Sequence, residues 1–430
     1  MSPETLYDKY FKYDRISGWI TIVSGMEEMV KGNGYNIRGP QTYNNDFGQI
    51  YYGEFIGVPN NGNIQGPPAS PENFNLLGNP YPSAIYADQF IYDNRDNMYG
   101  TLYFWTSNTL PAIVTPGTNT YTYNSNDYVY YNLSGAVNVG TLTGTGATSP
   151  GNQTPPAGYI AAGQGFFAKA RTNQSVVFTN SMRVANRNAQ FFKTSSATAG
   201  IEKHRVWLNL TNTEGAFKQL LIGYITGATN SWDNNYDAVT MSANPYIDFY
   251  SINDGKKLVI QGRAIPFVVS DTIPLGYKSA LEGNFTIAID QTDGNLTAQN
   301  IYLQDKVTNT IHNLKSGGYT FSTTIGVFPE RFVLRYANSG AVLGTDEFNS
   351  IDQNVVVSVK DKNIKIQSFK DQEMIRETAI YDAGGSLLYQ KNQIDETVWN
   401  ISNFQSGPQV LLIKITLDNG RTVTKKIIFK

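Results

Sequence analysis

Few residues of this chain are of types that do chemistry, because it contains no cysteine and only two histidines, His204 and His312. The missing thiols exclude cysteine nucleophiles, thiolate metal sites and disulfides. The two histidines are far apart in the sequence and form no local motif, so we expect both to be structural. Carboxylate pairs for glycoside hydrolysis have no spacing signature, and no Asp or Glu is distinguished as a member of one. We therefore predict that the chain is not an enzyme.

The best candidate for a metal site is the loop at residues 231–237. It brings together the oxygen-bearing side chains of Asp233, Asn235 and Asp237, and calcium prefers such ligands. The loop lacks the ligand spacing and terminal Glu of an EF-hand, which favours a metal-free loop of Asx turns as the alternative. Calcium at this loop is one hypothesis, and no other cofactor is expected.

The composition indicates an all-β protein. The chain has 430 residues, among them 39 Gly, 28 Tyr and 22 Phe, and aromatic residues favour strands while Gly favours turns. Apolar residues alternate with polar ones in many short segments, for example at Val206, Leu208 and Leu210, as expected for strands buried on one face. The 33 Lys and Arg nearly balance the 35 Asp and Glu, so nucleic acid is not expected as a partner.

Two stretches of small and polar residues, 194–200 and 337–345, indicate domain boundaries. At roughly 150 residues per domain, the length agrees with three domains. We predict tandem β-sandwich domains at 1–195, 196–343 and 344–430, the last of them Ig-like. The best helix candidate is a short one at 84–90, capped by Ser83.

The sequence also bears on location. No apolar run approaches the ~18 residues of a membrane-spanning helix, so no transmembrane segment is expected. The first residues have neither the basic nor the apolar region of a signal peptide. We therefore expect the chain to be part of a longer precursor.

Three segments near the C-terminus, 354–368, 378–391 and 409–430, carry a resemblance. They contain an Ile-Tyr-Asp strand, a Gly turn, a Leu-Ile-Lys strand, an Asn-Gly hairpin and a basic Lys-Lys-Ile-Ile end. Together they resemble a C-terminal sorting domain of the type 9 secretion system of Bacteroidota. A Tyr-Pro-Asn-Pro box, which usually opens the type A version, is absent, and the closer match is to the type C variant.

Upstream segments extend the resemblance. Residues 75–85, 158–167 and 181–184 are similar to cores that precede such signals in large adhesin-like surface proteins of gliding bacteria. The resemblance implies export across the outer membrane by the type 9 translocon and its outer-membrane shuttle protein, and an extracellular location at the cell surface. The alternative is the carbohydrate-binding tail of a secreted polysaccharide-degrading enzyme. Surface glycans are therefore a further candidate partner.

We assign translocon recognition to the end of the last domain. The residues expected to carry it are Gly385, Gly420, Lys425, Lys426, Ile427, Ile428, Phe429 and Lys430. An alternative for the lysines is that they only protect an edge strand from aggregation.

The last hairpin has two possible registers. A two-residue loop at 419–420 would set Lys414 opposite Lys425, which like-charge repulsion disfavours. A three-residue loop at 418–420 instead sets Ile415 opposite Val423, with Gly420 in a left-handed conformation. We expect the second register.

Overall fold

A computed structural model describes residues 4–23, 27–43, 52, 55–106, 112–113, 121–122, 127–138, 156–188, 201–241, 244–338, 355–360, 362–368, 374–382, 384–418, 420 and 422–429. The chain divides into two compact units, Met1–Asn338 and Ser339–Lys430. Strands dominate both, which confirms the all-β fold. Among the described residues, no helix is long and apolar enough to cross a membrane.

The N-terminal half of unit 1 consists of short strands around one α-helix. The strands are β1 (Tyr10–Asp14), β2 (Gly18–Thr21), β3 (Tyr35–Ile37), β4 (Ile64–Gln65), β5 (Phe74–Gly78), β6 (Ala84–Tyr86), β7 (Met98–Trp105), β8 (Ala112–Ile113), β9 (Tyr121–Thr122), β10 (Tyr128–Asn132), β11 (Gly135–Val137), β12 (Tyr159–Ile160), β13 (Gly165–Ala170), β14 (Val177–Phe178) and β15 (Arg183–Val184), with helix α1 (Ala87–Asp93). A five-stranded antiparallel sheet in the order β11-β10-β7-β13-β5 forms its centre. Phe90 of α1 packs on this sheet through Phe166, 5.3 Å between ring centroids.

The helix expected at 84–90 begins later, at Ala87. Residues 84–86 instead form β6, which pairs with β12 and β15. Ser83 does not cap the helix, because the N-cap position is Tyr86 and no side chain caps it; the Ser83 hydroxyl accepts a hydrogen bond from Arg183 Nε (3.1 Å) instead. The error has a tertiary cause, since strand partners distant in sequence extend the chain where local signals favour a helix turn.

The second half of unit 1 forms one large sheet. Its strands are β16 (Lys203–Asn212), β17 (Phe217–Ile225), β18 (Ala238–Val239), β19 (Ile247–Asn253), β20 (Lys256–Arg263), β21 (Thr272–Ser279), β22 (Gly283–Thr292), β23 (Tyr302–Asp305), β24 (Thr310–Asn313), β25 (Tyr319–Thr323) and β26 (Gly326–Arg335). They lie in the order β24-β23-β26-β21-β19-β20-β17-β16-β22-β25, with β18 beside β20. The predicted alternation holds, because Val206, Leu208 and Leu210 are all fully buried.

This sheet folds over a single core. Phe321 of β25, at one end of the strand order, contacts Phe332 of β26, near the other end, at 4.8 Å between ring centroids. Both side chains belong to the cluster that includes Leu208 and Leu220. The sheet therefore forms two facing layers, as a β-sandwich requires.

The boundary expected near residue 195 lies outside the described residues and within unit 1. Separate cores lie on its two sides, but a further apolar cluster combines Tyr103 and Tyr130 from one side with Trp207 and Leu221 from the other. The Trp207 indole Nε1 also donates a hydrogen bond to the Ala136 carbonyl (2.7 Å). Division of the chain at 195 therefore stays a prediction.

Unit 2 is a small sandwich. Its described strands are β27 (Val355–Lys360), β28 (Asn363–Ser368), β29 (Ile375–Asp382), β30 (Leu387–Glu396), β31 (Val398–Ile401), β32 (Gln409–Leu417) and β33 (Thr422–Phe429). One sheet has the order β27-β28-β31 and the other β30-β29-β32-β33. Side chains from both sheets, such as Ile364 and Ile413, share one core.

The strand order of unit 2 agrees with the expected Ig-like fold. In a seven-stranded immunoglobulin sandwich, strands one, two, four and five share a sheet, and strands three, six and seven share the other. The described strands of unit 2 follow this division except for the fourth, β30, which pairs with the third, β29, instead of joining the sheet of β27, β28 and β31.

Trp207 provides a test of the joint between the two halves of unit 1. Replacing it with Ala should lower the free energy of unfolding of unit 1 by about 3–5 kcal/mol, because Trp207 is 5% exposed and its loss leaves a cavity. Trp19 is the matched control, since it is 45% exposed, and Trp19→Ala, which removes its contacts with Tyr13 and Phe167, should cost about 2 kcal/mol or less. Urea unfolding of both variants measures the difference, and equal losses would contradict the assigned packing.

Candidate functional site

The C-terminal hairpin has the predicted register. Ile415 lies opposite Val423, and Leu411 lies opposite Ile427. Gly420 has φ +80° and its N–H donates to the Leu417 carbonyl (3.0 Å). A left-handed residue at this position favours glycine, so the predicted register and the left-handed conformation of Gly420 are confirmed.

This register fixes which side chains of β33 face the core. Val423 and Phe429 are buried, and the Phe429 ring packs edge-on against Phe404 at 5.4 Å between centroids. Lys425 lies opposite the buried Ile413 and is half-buried, so it points toward the core side at the rim of the sandwich. A charged residue that faces inward on an edge strand hinders pairing with other chains. This placement favours edge protection as the role of Lys425.

The opposite face of β33 presents Lys426 and Ile428 to solvent, and Ile428 is 66% exposed. Lys426 lies beside Leu412 of β32, which lies beside Tyr381 of β29, and Tyr381 lies beside Leu387 of β30. Directly opposed side chains in a sheet have Cβ atoms about 5 Å apart. Since Leu412 is 37% and Leu387 51% exposed, these residues form one apolar surface that we call the outer patch: Tyr381, Leu387, Leu412, Lys426 and Ile428.

The sequence had indicated the last strand but missed Leu387 and Leu412. Leu412 follows from the period-two alternation of β32, because its neighbours Leu411 and Ile413 are fully buried and alternate residues face opposite sides. No such signal was available for Leu387. A β-bulge at Leu388 shifts the pairing of β30 with β29 and determines which residue lies beside Tyr381.

A tight turn between β29 and β30 lies at one end of the outer patch. Gly385 has φ +85°, and its N–H donates to the Asp382 carbonyl (3.1 Å). The Asp382 carboxylate accepts hydrogen bonds from the N–H groups of Gly384 (2.9 Å) and Ser386 (2.8 Å). Gly385 therefore acts through turn geometry, which places the start of β30 and its Leu387 beside the patch.

Strand β33 lies at the edge of its sheet. Within the described residues it forms a strand ladder only with β32, and β27 of the facing sheet comes close to it without pairing. Lys430, the last residue assigned to recognition, lies outside the described residues. Of the assigned residues, Lys426 and Ile428 are solvent-facing, Ile427 is half-buried and Phe429 belongs to the core.

The outer face of the other sheet differs in character. Its exposed positions include Ser358, Lys360, Lys365 and Asn400, with Val356 as the exposed large apolar residue. A polar outer face is usual for an antiparallel sheet. The apolar outer patch is therefore specific to the sheet that contains β33.

The loop at 231–237 is held together by its own carboxylates. Asp237 Oδ2 accepts from the Asp233 N–H (2.8 Å) and Oδ1 accepts from the Gly262 N–H (2.8 Å). Asp233 Oδ1 accepts from the Asn235 N–H (3.1 Å), an Asx turn. Burial raises the pKa of Asp237 to about 7, although its two backbone hydrogen bonds oppose the rise. These contacts favour the turn interpretation, and calcium at this loop stays a prediction.

The histidines have structural partners. His204 is buried, with Nδ1 accepting from the Asn295 N–H (3.1 Å) and Nε2 2.7 Å from Glu202 Oε1. His312 Nε2 lies 2.9 Å from the Gly317 carbonyl. In the part of the chain that the structure describes, no three His, Asp or Glu side chains are grouped so that they could hold a metal ion.

Two family models match the chain. Residues 1–336 match a domain of unknown function, DUF8693, and residues 343–429 match another, DUF8694. The chain belongs to the DUF8693 family. The interval between the two matches contains the boundary between units 1 and 2.

Other comparisons add little to this family assignment. No curated protein matches the sequence. One solved structure, titled biofilm associated protein BSP domain, is 11% identical over 86% of this chain and 66% of that chain, with a TM-score of 0.14. The alignment thus spans just under two thirds of that chain, and its TM-score is too low for an argument about fold or function.

Aromatic side chains in the DUF8693 segment pack mainly on one another. Trp19 contacts Tyr13 at 5.3 Å and Phe167 at 5.8 Å between centroids, with interplanar angles of 78° and 90°. Trp105 and Tyr128 are also edge-to-face. Edge-to-face pairs are usual in protein cores, whereas a sugar-stacking platform requires exposed coplanar rings. The geometry at Trp19 and Trp105 is that of a scaffold, whereas Tyr7, Tyr52, Phe55 and Tyr92 are exposed, so the glycan-binding alternative stays a prediction.

Asp237 makes the stability of unit 1 depend on pH. Its pKa in the folded state is raised, so folding retains a proton that the unfolded chain releases near pH 4, and stability falls as pH rises through about 7. Between pH 5 and pH 8 this loss should amount to roughly 3 kcal/mol, at about 1.4 kcal/mol per pKa unit. In Asp237→Asn the loss should be absent, whereas Asp96→Asn, at an exposed position of unit 1, should behave as the parent. Thermal unfolding at both pH values measures this, and an unchanged pH dependence in Asp237→Asn would contradict it.

Proposed function

We propose that this chain is a non-enzymatic, adhesin-like region of a secreted or cell-surface protein, and that unit 2 directs its export by the type 9 secretion system. The partners in this proposal are the translocon and its outer-membrane shuttle protein. The observation that carries it is the terminal edge strand β33, which presents Lys426 and Ile428 on its solvent face.

An export signal on a folded domain has to offer a feature that a receptor can read. An edge strand offers main-chain hydrogen bonds for affinity and alternate side chains for specificity. Strand β33 offers both, because one side lacks a strand partner among the described residues and Ile428 is 66% exposed. Unit 2 is also compact by itself, as a transferable signal requires.

The adhesin-like role of unit 1 is supported by its β-rich architecture and by the sequence resemblance of residues 75–85, 158–167 and 181–184. The alternative, a carbohydrate-binding tail of a polysaccharide-degrading enzyme, is less favoured because Trp19 and Trp105 meet their aromatic neighbours edge-to-face.

The test is a fusion in which a signal peptide and a reporter precede the whole chain, expressed in a type 9 competent host. Truncation after Thr424 should leave the reporter in the periplasm, because most of β33 is lost. Ile428→Glu should also reduce surface delivery, by about tenfold, because it places a charge on the face of β33 that the receptor is proposed to contact. The substitution leaves the core of unit 2 unchanged. Surface labelling of the reporter on intact cells measures both.

The second variant is needed because truncation also removes Phe429 from the core. Lys365→Glu, on the outer face of the opposite sheet, is the matched control and should be exported as the parent. Full surface delivery of both the truncated chain and Ile428→Glu would show that the export signal lies elsewhere.

A further inference from the structure

Ile428 is an unusual residue for a free sheet edge. Edge strands of native proteins are normally blunted by charges, proline or bulges, because an exposed apolar edge pairs with other chains. Here Lys425 supplies an inward-facing charge at one position, yet three residues later Ile428 is 66% exposed. At Lys425 the inward-facing charge therefore hinders pairing with another chain, whereas at Ile428 an apolar partner can make contact.

The exposed apolar surface at Ile428 continues across the sheet in the outer patch. Val410, opposite Ile428, is half-buried, and Leu412 and Leu387 are exposed. The opposite outer face of unit 2, around Lys365, is polar. Exposed apolar residues that cluster on one face commonly mark an interaction site.

On β32 and β33, the charged residues on the face of the outer patch are both positive. Lys414 and Lys426 point outward from β32 and β33 and are exposed. An acidic side chain opposite Lys426 would form a favourable cross-strand pair, and a basic one would be repelled. A second copy of this chain is a less favourable occupant in the antiparallel register centred on Lys426, because that register sets the Lys426 side chains of the two copies against each other.

We propose that the edge of β33, which has no ladder partner besides β32 among the described residues, takes up an extended strand of another protein, in which an acidic residue lies opposite Lys426 and an apolar residue lies opposite Ile428. The two residues are separated by one position, because alternate side chains share a face. The added strand runs antiparallel to β33, the more stable arrangement. This inference rests on the proposed export role, since it names the partner chemistry of the same site.

Synthetic peptides test this chemistry with the full chain. The probe is Ser-Thr-Val-Thr-Glu-Thr-Ser, carrying a fluorophore, and the matched peptide has Lys in place of Glu. We expect the acidic peptide to bind at least tenfold more tightly by fluorescence anisotropy. Ile428→Glu and Lys426→Glu should each weaken its binding at least tenfold, whereas Val356→Glu and Lys365→Glu, on the opposite sheet, should not.

Several results would overturn the inference. Absence of binding up to millimolar peptide, equal binding of the two peptides, or equal effects of the variants on the two sheets would each do so. A dimer in sedimentation that Ile428→Glu abolishes would assign the edge to a second copy instead. Stronger capture by anionic phosphatidylserine vesicles than by the peptide would assign it to a membrane surface.

The outcome also separates this inference from the export role. If the acidic peptide binds but Ile428→Glu and the chain truncated after Thr424 are both still delivered to the surface, the binding site stands and the export proposal fails. If export depends on Ile428 but neither peptide binds, the export proposal stands and the partner chemistry is wrong.

Discussion

The register of the last hairpin is the constraint on which the proposed recognition surface depends. Side chains alternate with a period of two along a strand, so a shift of one residue would exchange the two faces of β33. The left-handed conformation of Gly420 closes the turn that sets Ile415 opposite Val423. As a consequence Phe429 enters the core, while Ile428 faces solvent.

Different residues of β33 meet two requirements of unit 2, an apolar core and a protected edge. The unit needs apolar side chains in its core for stability, and Val423 and Phe429 supply them from the last strand. It also needs protection of its free edge, which the half-buried Lys425 provides. Ile428 is 66% exposed and lies outside the core cluster, which is why the proposed recognition role includes it.

Local signals in the sequence predicted some of these features and missed others. Like-charge repulsion between Lys414 and Lys425 was sufficient to choose the hairpin register, because both residues lie within one hairpin. The helix start at Ala87 could not be found in this way, since β6 is fixed by β12 and β15, which are distant in sequence. The place of Leu387 in the outer patch depends on a β-bulge, which leaves no recognisable signature. The contact of Trp207 with Ala136 across the expected boundary is likewise a tertiary feature that small linker residues do not reveal.

Amide hydrogen exchange along Thr422–Phe429 tests most directly whether β33 is a free edge strand. In an antiparallel edge strand, alternate N–H groups bond to the neighbouring strand and the others face outward. Residue-resolved exchange of the full chain should therefore show slow and fast amides alternating along β33, with uniformly slow exchange in the central residues of β32. Uniform protection of β33 would show that its edge is covered, and uniformly fast exchange would show that the strand is not formed; either result would contradict the account.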